Sequence, residues 1–187
     1  ASVQALLKKA ATLDIATICP LHGPVLTGDL SHYIKQYDTW SSYRPETEGV
    51  FIAYASIHGN TAVAANELAE KLKASGVKVA ISDLSRDDIA ECVEDAFRYD
   101  RIVLASPTYD AGIFSPMDDF LSHLKAKGYQ NRKVAIIENG SWAPAAAKLM
   151  RSFMETLKNI SFVEPVVSIK SALTAQSRAQ LDELAKN

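Results

Sequence analysis

Cysteine is scarce. Cys19 and Cys92 are the only two in 187 residues, far apart and with no CxxC spacing. Two cysteines make no disulfide framework, and the plain reading is a pair of reduced thiols in a cytoplasmic protein. Long apolar runs are also missing. None reaches the roughly 18 residues that suggest a membrane span, and the first residues lack the basic-then-apolar pattern of a signal peptide. Excess charge is missing too: 20 basic against 22 acidic side chains leave a net −2. That argues against nucleic acid, whose binders usually carry a basic excess. Two nucleotide signatures are absent as well. There is no GxGxxG, and no GxxxxGK followed by Ser or Thr, so neither the dinucleotide fingerprint nor the P-loop is present.

What remains is ordinary globular composition, 48% apolar and 22% charged, in a chain long enough for one domain with extensions. It opens at Ala1, without Met, inside a helical pattern (Val3, Leu6, Leu7, Ala10). It therefore reads as a fragment of something longer. The pattern predicts a short helix over residues 2–12 and an extended stretch over 14–19. A turn forced by Pro20, Gly23 and Pro24 comes next. A second helix is expected from 28 to about 42, with Leu30, Ile34, Tyr37 and Trp40 on one stripe. Residues 44–49 are polar and turn-rich, and read as a linker. The division expected is 1–48, a lead segment, and 49–187, the main domain.

From Gly49 the pattern becomes regular. Strands are expected at 50–55, 77–82, 101–106, 133–138 and 162–169. Helices are expected at 60–75, 87–99, 116–127, 145–159 and 174–186, the last capped by Thr174. Strict alternation implies parallel pairing, because parallel strands need crossovers. The strands lack period-two patterning, as expected when helices cover both faces. The fold class is therefore α/β: a doubly wound five-stranded parallel sheet with helices on both faces, plus a short N-terminal helical extension. Ligands of such sheets bind beyond the carboxyl ends of the strands, at the topological switch point.

Three loops lie there. The first holds Ser56, Ile57, His58, Gly59, Asn60 and Thr61. Its hydroxyls and backbone N–H groups, with the helix that follows, can wrap a phosphate. No Lys or Arg is present, which suits a permanently bound monophosphate cofactor. A plain turn capped by Asn60 or Thr61 is the alternative. The second loop holds Pro107, Thr108, Tyr109 and Asp110, with Gly112 permitting a turn. The third holds Asn139, Gly140, Ser141, Trp142 and Ala143. Tyr109 and Trp142 on neighbouring loop tips could grip a flat ring by offset stacking. Lids on the core are the other reading of these two rings.

The first loop resembles the flavodoxin family, whose Ser/Thr-rich turn ending in Gly-x-Thr encloses the phosphate of FMN. Ser-Pro-Thr-Tyr (106–109) and Asn-Gly-Ser-Trp-Ala-Pro (139–144) resemble the second and third flavin loops of one branch, the flavodiiron proteins. The resemblance spans Gly49 to Asn187. It implies a flavodoxin-like domain whose FMN contacts come from the residues just named in the three loops. Many relatives carry Gly-Ser-Tyr/Phe-Gly-Trp in the third loop, so which ring stacks is left open. Residues 18–24, Ile-Cys-Pro-Leu-His-Gly-Pro, are similar to the end of the metallo-β-lactamase-like domain that precedes the flavodoxin domain in that branch. His22 would then be a ligand of a di-iron centre, but only in the full-length parent; a capping or buried His is the alternative. The resemblance also implies a donor such as rubredoxin or a flavin reductase, a homodimer in the parent, and electron delivery to a di-iron site that reduces O2 or NO. Two rival functions share the fold: a flavin-dependent NAD(P)H or quinone reductase, and a cofactor-free interaction module.

Overall fold

The computed structural model describes residues 2–187; Ala1 lies outside the described residues. The chain forms two units, Ala1–Glu46 and Thr47–Asn187. In the first, α1 (Ser2–Ala10) is followed by two short antiparallel strands, β1 (Thr17–Ile18) and β2 (Leu26–Thr27), and by α2 (Ser31–Ser41). Gln4 ties the two helices, its Nε2 donating to Asp38 Oδ1 and Ser41 Oγ, both at 2.9 Å. The hairpin-like pair β1–β2 is an addition to the sequence reading. Strands of two residues carry no periodicity to read.

The second unit runs β3 (Thr47–Tyr54), α3 (Asn60–Ala74), β4 (Val79–Asp83), α4 (Ile89–Arg98), β5 (Tyr99–Tyr109), β6 (Gly112–Ile113), α5 (Ser115–Ala126), β7 (Gln130–Asn139), α6 (Ala146–Glu155), β8 (Lys158–Phe162), β9 (Val167–Ile169) and α7 (Ala175–Leu184). The main sheet is ordered β4-β3-β5-β7-β8, and its neighbours are parallel. The chain winds outward from β3 to β4, then returns to the other side of β3 with β5. The switch point therefore lies between β3 and β5.

Alternate residues of each central strand feed two separate cores. Phe51, Ala53, Ile102, Leu104, Val134 and Ile136 pack with α4, α5 and α6. Val50, Ile52, Val103, Ala105, Ala135 and Ile137 pack with α3 and α7. Both faces are apolar, which is why these strands read as unbroken hydrophobic runs. Thr174 caps α7 as expected: its Oγ1 accepts from Ser177 N–H at 3.2 Å, and Ser177 Oγ accepts from Thr174 N–H at 2.8 Å.

The fifth strand differs from the sequence reading. It is two pieces on one edge of β7: β8 pairs with the first half and β9 with the second. Pro165 sits in the gap and has no N–H to offer the ladder. The preceding helix also ends earlier than its pattern suggests. Asn159, with φ +53, already belongs to β8.

Away from the site, the Tyr129 hydroxyl is buried with no hydrogen-bond partner among the described residues. Burial pushes this phenol far above its ordinary range. An unmade buried hydrogen bond opposes folding. Tyr129→Phe is therefore expected to stabilise by about 1 kcal/mol, read as a higher urea midpoint at unchanged slope. A lower midpoint would mean that the hydroxyl is in fact bonded.

Candidate functional site

Loop one leaves β3 at its carboxyl end and turns into α3. Gly59 makes the turn with φ +84, and a Cβ there would meet nothing within 4 Å. Its requirement is conformational, not steric. The sequence left open a cap by Asn60 or Thr61, but the N-cap position is Gly59, which has no side chain to offer. Ala62 N–H reaches Ser56 Oγ at 3.3 Å. The N–H groups of Asn60 and Thr61 have no partner among the described residues. The positive end of a 15-residue helix is thus left open.

Loop two continues β5 to Tyr109 and folds back as β6, which pairs Thr108 with Ile113 and Tyr109 with Gly112. The turn is made by Asp110 (φ +47) and Ala111 (φ +59), not by Gly112. Two central residues with positive φ give a type I′ hairpin, whose twist suits the flanking strands. Tyr109 is 48% exposed and meets Phe114 edge-on, ring centroids 5.7 Å apart.

Loop three joins β7 to α6. Trp142 is 90% exposed, so it is no lid on the core. The N-terminus of α6 is closed, in contrast to that of α3. Thr108 Oγ1 accepts from Ala145 N–H (2.9 Å) and Ala146 N–H (3.0 Å), and Glu138 Oε2 accepts from Ala147 N–H (3.0 Å). The other oxygen of Glu138 accepts from Ser168 Oγ at 2.9 Å. Thr108 and Glu138 therefore weld loop two, β7, β9 and α6 together. Gly140 sits inside this weld, where a Cβ would fall 3.0 Å from Pro144 Cβ and 3.3 Å from Thr108 Oγ1.

Between the loops lies a cavity of about 240 Å³. Ser56, Ile57, His58, Asn60 and Thr61 line it from loop one, Pro107 and Thr108 from loop two, Asn139, Gly140 and Ser141 from loop three, and Ser171 from beyond β9. The wall carries hydroxyls, amides and one imidazole, and no Lys, Arg, Asp or Glu. The structure thus brings together most of the residues expected from the sequence. Gly59, Tyr109, Asp110, Trp142 and Ala143 lie outside the wall, and Ala143 makes its own turn with φ +43. At the end of β3, burial and then the Asp83 carboxylate push the Tyr54 phenol above its ordinary value.

Sequence reasoning missed two residues here. Ser171 follows the fifth strand, away from the switch point, where no ligand loop was expected. Glu138 is an acid closing an apolar run, and that oddity was the available signal. Asn139 was expected to touch a cofactor, yet its side chain is committed elsewhere. Its amide bonds the backbone of Ser171 and approaches Thr61, and its backbone is paired in the sheet with Pro107 and Ile169.

His22 is exposed in the Pro20–Pro24 turn. It borders a separate cavity of about 300 Å³ within the first unit, lined also by Pro20, Pro24, Leu26, His32, Tyr33, Gln36, Tyr37 and Trp40. Among the described residues, no group of three or more His, Cys, Asp or Glu is placed to hold a metal ion. No described helix is long and apolar enough to cross a membrane.

Comparison with known proteins agrees with this fold. A family model described as a flavodoxin domain matches residues 51–167, more than half of the chain. The flavo-diiron protein FprA2 of Clostridium acetobutylicum is 26% identical over 151 residues, covering 78% of this chain and 38% of that protein. The coenzyme F420H2 oxidase of Methanothermobacter marburgensis is 32% identical over 111 residues, covering 59% and 27%. Among solved structures, the rubredoxin oxygen:oxidoreductase of Desulfovibrio gigas superposes with a TM-score of 0.89 at 20% identity, covering 98% of this chain and 46% of that one. At that identity the likeness is one of fold. The chain spans less than half the length of each of these relatives.

Proposed function

We propose, from the premise that this chain belongs to the flavodoxin domain family, that its second unit holds FMN and relays electrons. The observation that carries the reading is the contrast between two helix N-termini at one sheet edge. That of α6 is filled by Thr108 and Glu138. That of α3 has Ala62 N–H on Ser56 Oγ but leaves the N–H groups of Asn60 and Thr61 open, beside a cavity lined by hydroxyls. An open helix N-terminus with hydroxyl donors is a site for a phosphate group.

The residues present fit FMN. The N–H groups of Asn60 and Thr61 and the hydroxyls of Ser56 and Thr61 would hold the phosphate without a basic side chain. Such a set suits a monophosphate that stays bound and is not itself transferred. Tyr109 and Trp142 would cover the ring by offset stacking, and the backbone N–H of Ser141 would donate to its edge, since that of Gly140 is bonded to Ile169 O. Thr108 and Glu138 keep the second and third loops in fixed register. FMN, when bound, supplies one- and two-electron redox chemistry. Nothing in the cavity wall is arranged as a nucleophile with its base, so this unit orients and insulates the cofactor.

The longer protein implied by the relatives extends the reading. Residues 1–48 are the tail of a metallo-β-lactamase-like domain with its linker, and His22 would be one ligand of a di-iron centre whose other ligands would lie outside this chain. The FMN unit would then link a donor, rubredoxin or a flavin reductase, to that centre, which would supply the chemistry of O2 or NO reduction. The parent is a cytoplasmic homodimer.

Titrating the purified chain with FMN tests the core of this. Expected are one FMN per chain, quenched flavin and tryptophan fluorescence, and flavin bands retained through a desalting column. A chain that retains no flavin overturns the reading in favour of an interaction module. Rapid reduction of the bound flavin by NAD(P)H alone would favour a reductase.

A further inference from the structure

The cavity has a wall that the three flavin loops do not supply. Ser171 lines it from the segment after β9. Its backbone is left-handed, φ +71, at the apex of a tight turn closed by a bridge between Lys170 and Ala172. A non-glycine residue at such a φ costs on the order of 1 kcal/mol, so this apex carries a side chain at some expense to stability.

The turn is braced from below. Asn139 is 9% exposed. Its Nδ2 donates to Ser171 O at 2.8 Å, and its Oδ1 accepts from Ser171 N–H at 3.0 Å. Gly140 N–H donates to Ile169 O at 2.9 Å, which fixes the segment one step earlier. The same Nδ2 lies 3.4 Å from Thr61 Oγ1. One buried amide therefore gathers Ser171 and the first turn of α3 into one place. With the Ser171 backbone fully bonded, its hydroxyl is the group left over. It has no partner among the described residues.

We propose that residues 170–174 form a fourth ligand-holding loop and that the Ser171 hydroxyl donates to the phosphate of FMN. Asn139 is the positioning residue that sets the loop against α3. The inference rests on the FMN reading above and adds a contact to it.

Ser171→Gly is the clean variant. It removes the hydroxyl, keeps the turn and relieves the left-handed φ, so the fold should be as stable as before or slightly more so. FMN affinity, read by fluorescence titration, is expected to fall about tenfold, the effect of one hydrogen bond to a charged group. Riboflavin, which lacks the phosphate, should bind both proteins equally. Ser171→Ala should weaken FMN similarly. Unchanged FMN affinity in Ser171→Gly overturns the proposal, and so does an equal loss for riboflavin, which would move the contact to the ribityl chain. A wild-type chain that binds no FMN is the distinct failure of the underlying reading and removes this contact with it.

Discussion

Ser56→Asp is expected to lower FMN affinity by a hundredfold to a thousandfold while leaving the apo fold as stable or more so. The two effects have one cause. Ser56 Oγ accepts from Ala62 N–H at 3.3 Å in the first turn of α3. A carboxylate there is a better acceptor than a hydroxyl, and it lies at the positive end of the helix dipole. Aspartate is among the preferred caps, and such a charge stabilises by about 0.3–1 kcal/mol. The same carboxylate stands where a phosphate dianion must come. Two unit charges about 4 Å apart repel by roughly 4 kcal/mol at an effective dielectric near 20. Even with part of that screened, the loss is two to three decades, because no Lys or Arg in the wall offsets the added charge. The measurement pairs an FMN titration with a thermal melt of the apo protein. Riboflavin serves as control and should lose far less. Undiminished FMN affinity in Ser56→Asp would mean that phosphate is held elsewhere, and the α3 end would lose its assigned role.

How much of this was legible in the sequence follows from where each interaction sits along the chain. The central strands were readable because β3, β5 and β7 are apolar on both faces, as with Phe51 and Ile52, which enter different cores. The three loops were readable for the same reason: each sits between an unmistakable strand and an unmistakable helix. The fourth wall was not. Residues 162–169 read as one strand, yet β8 ends at Phe162, and only Glu164 and Pro165 hint at the break before β9. Ser171 gains its place from Asn139, 32 positions earlier, and no local pattern encodes such a pair. Hairpin β5–β6 was hidden because Asp110-Ala111 is not a usual type I′ pair; Asn-Gly would have announced it. Thr108 and Glu138 carry the same lesson. Their residue types are legible, but their task as joint cap of α6 exists only once three elements have met.

Arg132→Met is expected to destabilise the second unit by several kcal/mol, about 1–3 for each buried carbonyl left without its donor, without changing the intrinsic FMN affinity of the molecules that remain folded. Arg132 is 2% exposed, at the start of β7. Its guanidinium donates to Phe97 O (2.6 Å), Tyr99 O (2.8 Å), Gln130 O (3.1 Å) and Asn131 O (3.2 Å), and lies 5.8 Å from the Tyr129 ring centroid. Phe97 is in the last turn of α4 and Tyr99 is its C-cap. Here the guanidinium serves carbonyls at the negative end of the helix dipole. Burial lowers the guanidinium below its ordinary value, but arginine stays protonated in proteins. Methionine fills similar volume and bonds none of those carbonyls. Arg132→Lys keeps the charge but loses the planar fork, and should fall between the two. Since Arg132 lies near the start of β7 and the cavity-lining Asn139 closes it, the damage is to the fold and not to the cavity. Urea titrations with and without FMN separate these possibilities. At a free concentration a hundred times the dissociation constant, FMN should add about 2.7 kcal/mol to wild type and variant alike. A smaller increment in the variant would show that the α4–β7 weld also shapes the binding loops. Unchanged stability without FMN would show that the four carbonyls find other donors.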